Sequence, residues 1–372
     1  MSRRVKFAVG AVLFIAAQVA CSLGGYTLSP VDAGDGGGGA QPADAGGGDS
    51  GSAATPGALV IAAGPPTPTP YVYDGPAPAA GTGIVVGRLL WNGLPVVGNQ
   101  VKVCAEIKFI GGCEGEEYAT VTDDKGVYVI KDVPAGEWGL AFLALDAEGW
   151  QYVTSGFINA AGFDVTDGAV TEVGDMHISK QDMTLVSPAD EAVLSEARPT
   201  ITWAAYPEAA YYEVSLSGQK GQYLFLGYET TETSLTAPAD LQNCEYHWSI
   251  EAYNASGIQI AETDGLWYFD IIDQPYACEI TGLSPADGAS ASAANLTLTW
   301  DAHGLAAVYK IHLYNADDSS VKILDFVETT TNSYAVTQTI PAGTYEWVVY
   351  YYDATDELLG FSDNYTLYIT SP

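Results

Sequence analysis

Positive charge is what this sequence has least of. Lys and Arg together number 13 against 46 Asp and Glu, for a formal charge of −33 over 372 residues. A polyanion would be repelled by such a chain, and no basic stripe interrupts the acidity, which excludes nucleic acid as a partner. Histidine is also sparse, with four residues scattered at 177, 247, 303 and 312. No nucleophile elbow, phosphate loop, HExxH or dinucleotide fingerprint occurs, and paired Cys-x-x-Cys motifs of the kind that hold zinc are missing. The sequence therefore implies no cofactor and no metal. Carboxylates are abundant, so an enzyme with unrecognised carboxylate chemistry stays open as a third-ranked function. Long apolar runs are absent too. The longest near the start, Phe7 to Ala17, falls short of the roughly 20 residues that span a bilayer.

That apolar stretch follows Arg3, Arg4 and Lys6 and precedes Gln18-Val19-Ala20-Cys21. A basic start, an apolar centre and small residues before a cut mark residues 1–20 as a signal peptide for export. Val-Ala-Cys resembles the end of a bacterial lipobox, although Gln18 stands where Leu is usual. The resemblance implies lipidation of Cys21, an anchor on the outer face of the cell membrane and display on the extracellular side; ordinary signal cleavage is the other reading. Residues 21–82 are dominated by Gly, Ala, Asp, Pro and Ser, which offer too little apolar surface to offset ordering entropy. They read as a linker. About 60 flexible residues span roughly 45 Å root-mean-square, enough to hold a folded module clear of a membrane.

From Gly83 to about Ser179 short β-rich runs alternate with turn residues, as in Ile84 to Trp91 followed by Asn92-Gly93. Asp124 and Gly126 suit a tight turn, because Asp bonds its own backbone and Gly tolerates positive φ. Asp123 and Asp124 are not read as calcium ligands, since no alternating-oxygen loop closed by Glu surrounds them. Gly126-x-Tyr128 followed by Val133-Pro134-x-Gly136-x-Trp138 resembles the carboxypeptidase regulatory-like domain, a transthyretin-like sandwich related to Cna B-type repeats. The resemblance implies an accessory or stalk module without catalysis over residues 83–179.

Farther along, the chain repeats itself. Ser187-Pro-Ala-Asp190 recurs as Ser284-Pro-Ala-Asp287, Thr200-Ile-Thr-Trp203 as Thr297-Leu-Thr-Trp300, and Tyr212-Glu-Val as Tyr309-Lys-Ile, all at one offset. After a two-residue insertion, Tyr246-His-Trp248 matches Tyr345-Glu-Trp347. Residues 184–274 and 279–372 are thus two copies of one domain, each with about seven short strands, as a β-sandwich requires. The early Trp, the Tyr-x-Val/Ile strand and the late Tyr-x-Trp resemble fibronectin type III domains. The fold class expected is all-β, with three β-sandwich domains in series after a signal peptide and linker. Trp203, Trp300, Tyr246 and Tyr345 are read as core.

With Cys21 set aside, Cys104, Cys113, Cys244 and Cys278 remain in an exported chain, and three pairings are possible. Cys104 and Cys113 lie across one hairpin. Cys244 opens a strand whose antiparallel neighbour ends just before Cys278, so 104–113 and 244–278 are expected.

Alternation along the last module supplies the candidate binding face. If Tyr309, Ile311 and Leu313 point inward, then Lys310, His312 and Tyr314 point outward. By the same rule Tyr350 and Tyr352 point outward from the adjacent strand. The equivalent positions of the preceding copy, Glu213, Ser215 and Glu251 among them, are more polar. His312, Tyr314, Tyr350 and Tyr352 therefore make a candidate surface for an unknown protein or glycan ligand, with cross-strand packing as the competing account. The leading function is a non-catalytic, surface-displayed lipoprotein acting in adhesion, scaffolding or protein–protein interaction at the cell envelope. A carbohydrate-binding accessory component of a secreted enzyme system is the alternative.

Overall fold

The computed structural model describes residues 71–108, 112–146, 148–155, 159–160 and 162–370. The signal segment, Cys21 and the linker through residue 70 lie outside the described residues. What is described is all-β: strands throughout, with one short 3-10 turn at Ala293–Asn295. Among the described residues no helix is long and apolar enough to cross a membrane.

The chain divides into two compact units, one holding residues 71–141 and 152–176, the other 142–151 and 177–370. In the first, Thr82–Trp91 pairs with Val127–Pro134 and with the short strand Leu94–Pro95. A second sheet is built around Gly136–Leu143, Gln100–Lys108 and Gly112–Val121. Leu89, Val101, Tyr128, Ile130 and Leu140 are fully buried between them. The turn before Val127 is made by Asp123 rather than by the expected Asp124. Its Oδ1 accepts from the backbone N of Lys125 at 2.8 Å and of Val127 at 2.9 Å. Trp138 of the sequence motif donates its indole N–H to the Pro134 carbonyl at 2.9 Å, which closes the motif on itself. The end of the expected linker is already tied down, since Gly81 N donates to Asp167 Oδ1 at 2.6 Å.

Residues 142–151, read from sequence as part of the first sandwich, group with the larger unit. Gln181 N donates to the Leu145 carbonyl, and Lys180 Nζ lies 2.7 Å from Asp146 Oδ2. The remainder of that unit holds the two sequence repeats. In the first copy, a three-stranded sheet of Leu185–Ser187, Thr200–Trp203 and Ser234–Thr236 accompanies a six-stranded one. The larger sheet runs Ala192–Leu194, Trp267–Ile271, Cys244–Tyr253, Tyr211–Gly218, Tyr223–Thr230, with Gln259–Glu262 added on Cys244–Tyr253. The second copy repeats the larger sheet with Ala289–Ser292, Tyr365–Thr370, Gly343–Tyr352, Val308–Asn315, Lys322–Thr329 and Leu358–Phe361. Thr297–Thr299 and Ser333–Ala335 face it.

The repeated residues do the same work in both copies. Asp190 Oδ1 accepts from Tyr268 N and Asp287 Oδ1 from Thr366 N, so the recurring Asp latches the parallel edge strand onto the last strand. Trp203 meets Tyr212 edge-on at 5.6 Å, and Trp300 meets Tyr309 at 5.3 Å, an arrangement aromatic quadrupoles favour. Tyr212 and Tyr309 accept a backbone N–H, from Tyr206 and His303 respectively, through their hydroxyls. Each copy has its own core, centred on Trp248 in one and Trp347 in the other, both fully buried.

Candidate functional site

The strand pair that carries the candidate face is Val308–Asn315 against Gly343–Tyr352, with Lys310 opposite Tyr350, His312 opposite Val348 and Tyr314 opposite Glu346. The face is aromatic as expected, but it is not open. His312 is 3% exposed and Tyr350 7%. Tyr314 and Tyr352 are half-buried.

A β-bulge closes it. The neighbouring strand Lys322–Thr329 pairs Val327 with Ile311 and then Leu324 with Leu313, so Asp325 and Phe326 together stand against the single residue His312. Phe326 sits at φ +52°, and the bulge brings its ring 4.9 Å from His312 and 5.2 Å from Tyr350. Tyr350 also packs on Phe361 at 5.5 Å, and His312 on Tyr314 at 4.8 Å. Strand alternation predicts exposure only beside a flat neighbouring strand, and here a bulged aromatic folds back over the sheet. The sequence held one usable signal. The equivalent position of the first copy is Gly227 at φ +62°, in the same bulge, and a glycine in one copy marks a left-handed site in both.

The polar atoms of the face are engaged as well. Tyr314 donates its hydroxyl to Glu346 Oε2 at 2.6 Å and accepts from Asn364 Nδ2 at 3.2 Å. Lys310 Nζ lies 4.2 Å over the Tyr352 ring and donates to Asp356 Oδ1 at 2.7 Å. Burial pushes the Tyr350 and Tyr352 hydroxyls up, so both stay protonated near neutrality. Burial lowers the His312 pKa, partly offset by Asp325, so that ring is held neutral at neutral pH. With neutral rings packed on one another, these groups serve cross-strand cohesion. Replacing Tyr350 by Ser is expected to cost about 2–4 kcal/mol of unfolding free energy. A denaturation midpoint unchanged in that variant would instead return the residue to the surface.

The matching face of the first copy is polar. Tyr211 and Tyr253 stack at 5.0 Å, and Tyr253 donates its hydroxyl to Glu251 Oε2 at 2.6 Å. Glu251 is 7% exposed. Its carboxyl is pushed up to about 7 by burial, with Glu262 and Glu213 adding to the rise against the Tyr253 hydrogen bond. A folded pKa above the unfolded value of about 4.3 means the native state binds the proton more tightly. Stability is then full below about pH 4.3 and falls as pH rises through about 7. Glu251→Gln is expected to be about 1–3 kcal/mol more stable than the wild type near pH 8, with the gap closing near pH 4. Urea titrations at the two pH values check this.

The structure joins Cys104 to Cys113 and Cys244 to Cys278, each with Cα atoms 5.6 Å apart. Glu117 lies near the first pair, but both sulfurs there are committed to the disulfide, which leaves one carboxylate and no metal-binding set.

No family model matches the chain, and no curated protein matches it. Similar solved structures are fibronectin type III modules. Those of Clostridium thermocellum CbhA are 14% identical, over 51% of this chain and 95% of that one, at a TM-score of 0.20. The FN1–FN3 domains of chicken CNTN1 are 13% identical, over 74% and 91%, at 0.21. A two-domain segment of chicken tenascin is 12% identical, over 50% and 95%, at 0.22. Likeness at this level carries no argument about binding or activity, and the sandwich architecture rests on the sheets themselves.

Proposed function

We propose that the chain is an exported, non-catalytic protein of the cell envelope that is held to the membrane through a lipid on Cys21 and displays its sandwich modules for scaffolding or protein–protein interaction. The observation that carries this reading is the cysteine count. Of five cysteines, four are joined in pairs, and the fifth is Cys21, directly after the small residues of the signal. Disulfides persist in oxidising compartments outside the cytoplasm. A cysteine left over in an exported chain needs a use of its own, and lipidation at the end of the signal is the use this reading gives it.

On this reading the first sandwich is a carboxypeptidase regulatory-like stalk module, and the acidic charge keeps an exposed protein soluble. Proteinase treatment of intact cells tests the display. Release of fragments containing residues 83–372 from whole cells supports it; full protection until the cells are lysed overturns it. A screen for hydrolase activity and a glycan array on the same purified chain address the enzymatic and carbohydrate-binding alternatives.

A further inference from the structure

The segment that joins the two repeats is not a free linker. Asn243 N donates to the Tyr276 carbonyl at 2.8 Å, and the side chains of Asn243 and the backbone of Gln274 exchange two hydrogen bonds of 2.7 Å. The Cys244–Cys278 disulfide then pins the same segment covalently to the first copy. Just beside it lies Gln242, 2% exposed, whose two amide ends are both taken by the second copy. Its Nε2 donates to the Leu359 carbonyl at 3.0 Å, and its Oε1 accepts the Tyr351 hydroxyl at 2.6 Å. Its backbone N–H donates to Tyr246 Oη of its own module, and Tyr246 in turn donates to Gln222 Oε1. A buried amide is costly unless satisfied, and here only correct docking of the second module satisfies it.

Around this hub the fit is close. Gly360 lies against the linker so tightly that a Cβ there would sit 2.0 Å from the Cys278 carbonyl oxygen, a distance only glycine avoids. The His303 ring packs tilted against Tyr351 at 4.2 Å while its Nε2 lies 2.9 Å from the Ala277 carbonyl oxygen. Lys220 reaches from the first copy to Asp363, lies 3.5 Å from Glu279, and covers Phe361 at 5.4 Å.

We infer that the two C-terminal modules form one stiff arm, with a joint fixed by the Gln242–Tyr351 hub and pinned by the Cys244–Cys278 disulfide. Domains joined only by a linker move relative to one another by default. Here covalent pinning, a satisfied buried polar hub and a backbone approach that excludes side chains all act at one place. The arm would present a partner with a single fixed arrangement of both modules.

Spin labels on unnatural amino acids at Ser256 and Thr331, both exposed, report the joint in the full-length protein through their distance distribution. The wild type is expected to give one narrow distribution. The Gln242→Ala/Tyr351→Phe double variant is expected to broaden it at least about twofold, with amide-exchange protection of the central strands of each module retained. Gly360→Ala is expected to broaden it as well, and the double variant stands alone if that protein does not fold. A wild-type distribution as broad as the variant's, or a narrow one that survives the double substitution, overturns the fixed joint.

Discussion

Trp347→Ala is expected to destabilise the C-terminal module by about 3–5 kcal/mol, a large share of the 5–15 kcal/mol that holds a typical domain. Trp347 is fully buried on the central strand Gly343–Tyr352 and meets Tyr365 edge-on at 6.1 Å. Removing the indole leaves a void in the middle of the core, and strands paired on both sides cannot collapse to fill it. For a module of about 90 residues this corresponds to a fall in melting temperature of roughly 15–30 °C. Trp248→Ala is expected to act alike on the preceding module, because the two indoles occupy equivalent places in separate cores. Calorimetry distinguishes the two variants. A fixed joint adds a further expectation: loss of the last module also shifts the transition of its neighbour, by a smaller amount, since Gln242 then loses both of its side-chain partners. A drop below about 5 °C in the Trp347 variant would show that its burial does not matter to the fold.

The second large effect is expected from removing the disulfide at the joint. Cys244 and Cys278 close a loop of 34 residues. In the chain-entropy model such a crosslink contributes about 4 kcal/mol, and native disulfides typically deliver about 2–4. The double variant Cys244→Ala/Cys278→Ala should therefore lose about that much, with amide exchange accelerated first at the backbone N–H groups of positions 243 and 278, which are tied at the pin. The Cys104–Cys113 bridge closes only nine residues, so its removal should cost less. An equal or larger loss at the short bridge would contradict the loop-length reasoning.

Much of this fold is legible in the residues because the repeat does the alignment. Trp203 and Trp300, Tyr246 and Tyr345 fall in the core as read, since strand alternation around a large aromatic is a strong burial signal. The recurrent Asp190 and Asp287 carry a reason that the sequence did not announce, a side-chain latch on a strand nearly 80 residues away. Both disulfide pairings follow from strand neighbours.

The candidate face was legible in composition and not in exposure. Alternation says which residues share a side of a sheet; it does not say what lies on that side. The covering group, Phe326, depends on a bulge, and a bulge breaks the period on which the reading rests. Gln242 was invisible for another reason. A glutamine in a loop reads as solvated, and only the docking of the next module turns it into a buried hub. Tertiary contacts between modules leave no periodic trace in either one.

The proposed display at the cell envelope depends on how the chain is attached. Cells expressing the full-length protein and its Cys21→Ala variant, grown with labelled palmitate and fractionated, give the most direct measurement. The wild type is expected to incorporate the label and sediment with membranes, and the variant to lose the label and leave the membrane fraction while keeping both disulfides. A wild type that takes up no palmitate, or a Cys21→Ala variant that is labelled and membrane-bound to the same extent, contradicts the lipid anchor.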